Sequence, residues 1–187
     1  QAKVYHAYAE KLMQEAESEL ADPQGRMKLL AGLTRLRQLC CDPRLCLEGY
    51  ASGSGKLDQL LELARDLAAE GHRMLIFSQF TSMLALLEDA LHEAGFETLK
   101  LTGETGKTER MALVEQFNGG DVPVFLISLK AGGTGLNLVG ADVVIHYDPW
   151  WNTAAQNQAT DRAYRIGQTK GVQVFSLIAS GTIEERI

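Results

Sequence analysis

The chain is 187 residues long, 45% hydrophobic, and carries 18 basic against 24 acidic residues, a formal charge of −6. That length suits one ordinary domain with an appendage, and no run of about 20 apolar residues is present to span a bilayer. From residue 71 onward the balance is 9 Lys and Arg against 13 Asp and Glu, 9 − 13 = −4. A broadly basic nucleic-acid surface is therefore excluded, and any such contact must be local, through backbone amides and a few cations. The chain starts at Gln1 without a charged-then-apolar leader, and both ends, Gln1 and GTIEERI, are expected to be cuts through a longer protein. Cys40, Cys41 and Cys46 are odd in number and form no CxxC pair. They are expected to be buried thiols near a helix end in a reducing, intracellular compartment, with no zinc site.

In chain order, residues 1–21 predict a helix through Val4, Ala7, Tyr8, Leu12 and Leu20, ended by Asp22-Pro23. A second helix over 24–39 turns Leu29, Leu30, Leu33 and Leu36 inward and stops at Cys41-Asp42-Pro43. The pair reads as a helical hairpin over residues 1–47. EGYASGSG (48–55) reads as a linker, and 56–187 as the main domain. Helices over 56–70, 81–94 and 108–117 then alternate with strands over 73–77, 97–101 and 122–127. Strands over 142–146 and 172–178 flank a last helix. MLIF, VFLI, VVIH and VFSLI are near-continuously apolar, as strands covered on both faces are. The fold class is α/β, a doubly wound parallel sheet. Ligands of such sheets sit at the carboxyl ends of strands, here the loops at 78–80, 101–103, 128–137 and 148–152.

Two stretches imitate phosphate loops and fail. Gly53-Ser54-Gly55-Lys56 has Leu57 in place of Ser or Thr and no strand before it, and Gly103–Thr108 would need its first Gly at Leu101. The loop Gly132–Asn137 is rich in backbone donors, which suits an anion, although the glycines would also serve a tight turn. In the last helix, Thr153 and Gln156 suggest a capping box and Gly167 a stop. Ala155, Ala159, Ala163 and Ile166 form a small apolar stripe. Gln158, Arg162 and Arg165 form a second one, suited to a polyphosphate because guanidinium donors are fixed and always charged. A solvated face neutralised by Asp161 and nearby acids would show the same spacing.

FSQF (77–80), LTGETGKTER (101–110) with Phe117 downstream, SLKAGGTGLNL (128–138), ADVVIHYDPWWN (141–152) and QATDRAYRIGQ (158–168) follow one another in this order. Together they resemble the motifs of the second RecA-like lobe of the Swi/Snf-type branch of helicase superfamily two, the ATP-driven duplex-DNA translocases and chromatin remodellers. RLRQLCCDPRL (35–45) and TIEERI (182–187) are similar to the family's flanking segments. The doubled Cys and short loops look more like a prokaryotic member, which implies a cytoplasmic, nucleoid-associated protein. A eukaryotic member would be nuclear.

The resemblance implies that ATP with Mg2+ sits between two lobes, and that the phosphate loop and magnesium ligands belong to a first lobe absent here. It implies arginine-finger roles for Arg165 and Arg162, with Gln158 ordering the cleft or attacking water. Gly133, Gly135 and Asn137 would lie near the nucleotide. Duplex DNA would be held by its phosphates near Ser78, Gln79, Thr102, Gly103, Arg110, Ser128, Lys130 and Gly132. Trp150 and Trp151 are expected to pack rather than to stack on bases. This lobe alone is expected to be folded and inactive. Two other readings remain: a non-catalytic protein- or DNA-docking module, and a nucleoside-diphosphate-sugar transferase lobe, which would show no DNA dependence.

Overall fold

The computed structural model describes residues 1–19, 23–132, 135–164 and 167–187. Its contacts divide the chain into two units, residues 1–58 with 179–187, and residues 59–178.

In the first unit, helices α1 (Ala2–Glu19) and α2 (Pro23–Cys41) pack together over Tyr5, Leu36, Leu39 and Cys40. Gly32 permits the close approach, because a Cβ there would lie 2.3 Å from Leu12 Cδ1. Leu36 is buried as expected, but Leu30 is 64% exposed. The inward stripe of α2 instead drifts toward Leu39 and Cys40, as a 3.6-residue period requires once Leu36 is fixed. Asp42 ends the helix by accepting from Arg44 N at 2.9 Å and capping a 3-10 turn, Pro43–Leu45. Cys40 and Cys41 are buried thiols at the end of α2, and burial pushes the Cys40 thiol up to about 11, which disfavours its thiolate at neutral pH.

The C-terminal segment locks onto this hairpin. Tyr5 Oη accepts from Ile183 N at 2.7 Å, and a second 3-10 turn, Ile183–Arg186, buries Glu184. Its carboxylate binds the Lys56 ammonium in a buried ion pair and accepts from Ala179 N at 2.8 Å. Lys56, the lysine of the first phosphate-loop imitation, thus sits at the start of helix α3 (Gly55–Ala69) with its charge used internally.

The second unit is a five-stranded, all-parallel sheet in the order β2-β3-β1-β4-β5, formed by β1 (Met74–Ser78), β2 (Thr98–Leu101), β3 (Val124–Ser128), β4 (Val143–His146) and β5 (Gln173–Ser176). Helices α4 (Thr81–Glu93) and α5 (Lys107–Gly119) form two of the crossovers. The one-turn α6 (Leu129–Gly132) and α7 (Thr153–Thr160) follow β3 and β4. Alternate strand residues face opposite sides. Leu75, Phe77, Phe125, Ile127 and Val144 therefore share one face with Phe117 of α5, Ala131 of α6 and Ala159 of α7 in a single core. On the other face Met74, Ile76, Leu126 and Ile145 are equally buried, and α4 contributes Met83, Leu84, Leu87 and Leu91. The doubly wound parallel α/β fold expected from the apolar strands is the one observed.

One local expectation differs. The strand expected over 172–178 is Gln173–Ser176, lies at the edge of the sheet formed by the described residues, and leaves Val174 45% exposed. Helix α5 has Gly106, which has no side chain to cap with, at its N-cap, and the Thr105 hydroxyl accepts from Thr102 N at 3.0 Å.

Replacing Glu184 by Ala leaves the Lys56 ammonium buried without its carboxylate. The expected cost is about 3–5 kcal/mol in urea unfolding, whereas an exposed control such as Glu62→Ala should change stability by less than about 0.5 kcal/mol.

Candidate functional site at the carboxyl edge of the sheet

Parallel pairing places Leu101, Ser128, Ser78 and His146, the carboxyl ends of β2, β3, β1 and β4, along one edge. Ser78 is in register with Ser128, Leu101 with Ile127, and Phe77 with both Ile127 and His146. The segments after β2, β3 and β1 therefore emerge side by side, and with the strand ends Ser78 and Ser128 they hold every residue expected at DNA except Arg110, which lies in α5.

Within these loops most side-chain donors shape the backbone. The Thr102 hydroxyl accepts from Glu104 N at 3.3 Å. Ser128, 2% exposed, accepts from Ala131 N at 3.3 Å and caps α6. Arg110 donates to Thr105 O at 3.3 Å and to Ala131 O at 3.4 Å, joining the β2 loop to α6. Ser78 is fully buried; its hydroxyl donates to Asp148 and accepts from Phe80 N at 3.1 Å. Gln79 N donates to Asp148 Oδ2 at 3.2 Å, and Gln79 Nε2 is buried without a partner among the described residues. Lys130 is exposed, and nothing lies within 4 Å of where a Gly103 Cβ would be. What the edge offers to a ligand is thus a few cations and open backbone.

Beyond β4 the chain forms the 147–152 loop and α7. Asn152, not Thr153, is the N-cap: its Oδ1 accepts from Ala154 N at 3.1 Å. The Gln156 carboxamide oxygen accepts from Trp150 N at 3.2 Å, two residues before the N-cap, so the expected capping box does not form. The α-helix ends at Thr160, whose hydroxyl donates to Gln156 O at 3.2 Å. From there Arg162 N and Ala163 N bond three residues back, to Ala159 O and Thr160 O. That tighter winding breaks the expected stripe. Gln158 is exposed, whereas Arg162 is 1% exposed and its carbonyl accepts from Leu138 N at 3.1 Å. Ala159 and Ala163 are buried as expected. Arg165 and Gly133, with Ile166 and Thr134, lie outside the described residues.

Gly135, at φ +56°, and Asn137 are exposed on the loop that follows α6. With Leu136 they face Lys107, Arg110 and Met111 of α5 across a cavity of about 570 Å³. Gly135 and Asn137, expected near nucleotide, thus share a cavity with Arg110, expected near DNA. Among the described residues, no three His, Cys, Asp or Glu side chains converge as metal ligands. Trp150 is half-buried, and Trp151 is 51% exposed.

Three site residues escaped the sequence reading. Asp148 reads there only as part of the 148–152 loop and the 141–152 motif. Asn118 holds the Gly-rich loop, donating to Asn137 O at 2.8 Å and accepting from Gly140 N at 2.9 Å. His146, the one histidine in an apolar strand, was the most visible signal. It stacks on Phe77 and its Nε2 lies 3.0 Å from the Thr160 hydroxyl. That hydroxyl also donates to Gln156 O, which suits a proton on Nε2, and Nδ1 is buried without a partner among the described residues. Burial lowers its pKa to about 4.

The five-stranded parallel sheet, in the order β2-β3-β1-β4-β5, is that of a RecA-like lobe. Residues 55–167 match the helicase conserved C-terminal domain, and the chain belongs to that family, in its SWI/SNF-type branch. It is 46% identical over 176 residues to YwqA of Bacillus subtilis (strain 168), an ATP-dependent helicase/translocase by name, covering 91% of this chain and 19% of that protein. It is 43% identical over 175 residues to the human SWI/SNF-related matrix-associated actin-dependent regulator of chromatin subfamily A member 1, covering 87% and 17%. The Sulfolobus solfataricus SWI2/SNF2 ATPase core in complex with dsDNA superposes with a TM-score of 0.85 at 35% identity, over 100% of this chain and 40% of that one. The chain spans about a fifth of the length of these curated relatives.

His146 supplies a pH test. The unfolded chain takes up the imidazole proton below about pH 6.5, but the folded one only near pH 4. Stability from this group is full above 6.5 and is lost as pH falls toward 4, about 3 kcal/mol in all. Between pH 7.5 and pH 5, wild type should lose about 2 kcal/mol more than His146→Gln in urea unfolding.

Proposed function

We propose that this chain is the second motor lobe of an ATP-dependent double-stranded-DNA translocase. The observation that carries the reading is the whole-chain likeness to an ATPase core in complex with dsDNA, on a sheet whose carboxyl edge gathers the expected loops.

The loops after β2, β3 and β1 take the DNA backbone. Lys130 and Arg110 supply charge, and the amides around Gln79, Gly103 and Gly132 supply neutral donors. Ser78, Thr102 and Ser128 set the shape of those loops. Phosphate contacts of this kind position a duplex without reading sequence. Neutral donors hold it weakly enough to be released at each step, which suits an acidic chain. The grip is therefore built from geometry more than from charge.

ATP is the substrate, bound with Mg2+ between this lobe and a first lobe that brings the phosphate loop and the magnesium ligands. Closure of the two lobes completes the site. Arg165 is the finger that meets charge developing on the transferred phosphoryl group. Arg162, buried beside the Gly-rich loop through its bond with Leu138, supports the same cleft from within. Gln158, exposed on α7, orders the attacking water. Gly133, Gly135 and Asn137 border the nucleotide. Alone, the lobe lacks half of that site and is inactive.

The test is ATP hydrolysis by the parent protein with and without duplex DNA. Strong duplex stimulation is expected, with Arg165→Ala reducing turnover by about a thousandfold and the 187-residue lobe silent. A rate indifferent to duplex, or to Arg165→Ala, would favour a docking module instead.

A further inference from the structure

We infer that Asp148 is a positioning residue that holds the loop after β1 in its DNA-facing shape and ties it to α7. This deepens the motor reading and rests on it.

Asp148 is 1% exposed at the end of the 143–147 run. A carboxylate at that depth is unfavourable unless its oxygens are met by donors. Two of those donors are consecutive residues of another strand's loop: the Ser78 hydroxyl and Gln79 N. The same Ser78 oxygen accepts from Phe80 N, so one carboxylate sets three successive residues, 78–80. None of these bonds belongs to the sheet ladder, whose pairing of β1 with β4 ends at Phe77 and His146. Without Asp148, nothing in the ladder fixes the path of the chain beyond Ser78.

The other end of the connection is equally direct. Two residues after Asp148, Trp150 N donates to the Gln156 carboxamide, and Gln156 lies in α7. The turn that follows α7 carries Arg162, whose carbonyl is bonded to Leu138 of the Gly-rich loop. Asp148 and Gln156 thus act in series between the loop proposed to grip DNA and the segment proposed to meet ATP. A displacement of α7 reaches residues 78–80 through the Trp150–Gln156 bond and the two bonds of Asp148, in addition to the pairing of β4 with β1.

The experiment measures ATP hydrolysis of the parent protein against duplex concentration. Asp148→Ala leaves the Ser78 hydroxyl and Gln79 N–H without their acceptor. The duplex concentration for half-maximal stimulation should rise about tenfold, with kcat at saturating duplex changed less than threefold. Asp148→Asn keeps an oxygen for Gln79 N–H and a hydrogen bond to Ser78, and should return to within about threefold of wild type. An unshifted duplex dependence in folded Asp148→Ala, or a loss of kcat alone, overturns the inference. Should Asp148→Ala not fold, Ser78→Ala cuts the same link, and no shift there overturns it equally. A wild-type rate indifferent to duplex would instead sink the motor reading. In that case amide exchange still decides the positioning: faster exchange at residues 79 and 80 in Asp148→Ala supports it, and unchanged exchange refutes it.

Discussion

Parallel pairing forces the carboxyl ends of β2, β3, β1 and β4 onto one edge, and the rest of this lobe follows from that constraint. The strands are buried on both faces, so their residues are committed to the core and the exposed chemistry is left to the loops. The register then decides which loops are neighbours. Because Ser78 pairs with Ser128 and Thr102 follows Leu101, three separate sequence motifs become one surface. Although β4 lies on the other side of β1, α7 shares a core with α6 and β3 through Ala159 and is linked to β1 by Asp148.

The surface that results is poor in free charge. Hydroxyls that look like ligand donors in the sequence, Ser78, Thr102 and Ser128, accept from backbone amides of their own loops. Such bonds pre-organise a loop, which lowers the entropy lost when a ligand arrives. In the proposed motor this makes the acidic net charge tolerable: phosphates would meet fixed amides, with Lys130 and Arg110 as local cations. A strongly basic face would hold the backbone more tightly, and a motor that must release at every step has no use for that.

Much of the fold was legible in the sequence because its signals are local. Apolar runs of strand length between amphipathic helices define the parallel sheet, and both imitation phosphate loops failed on residues that the motif requires. The order of five motifs identified the lobe. What was not legible depends on long-range partners or on the last turn of a helix. Lys56 meets Glu184 across 128 residues, and Asp148 meets Ser78 across 70; no periodicity carries either pairing. The Gln158–Arg162 stripe assumed an α-helix continuing past Thr160. The Thr160 back-bond to Gln156 and the three-residue bonds after it wind the chain more tightly, and Arg162 turns inward. Leu30 and Val174 show the complementary limit, since apolarity does not say which face is covered.

The central claim is that the carboxyl edge of β2, β3 and β1 is the face that holds duplex DNA. It is tested most directly by a photo-crosslinking side chain placed at Lys130 on that edge and, separately, at Glu70 near the opposite edge, both exposed. The parent protein is irradiated with end-labelled duplex. Crosslinking from position 130 and none from position 70 is the expected result. Equal crosslinking from both, or crosslinking from 70 alone, would contradict the account.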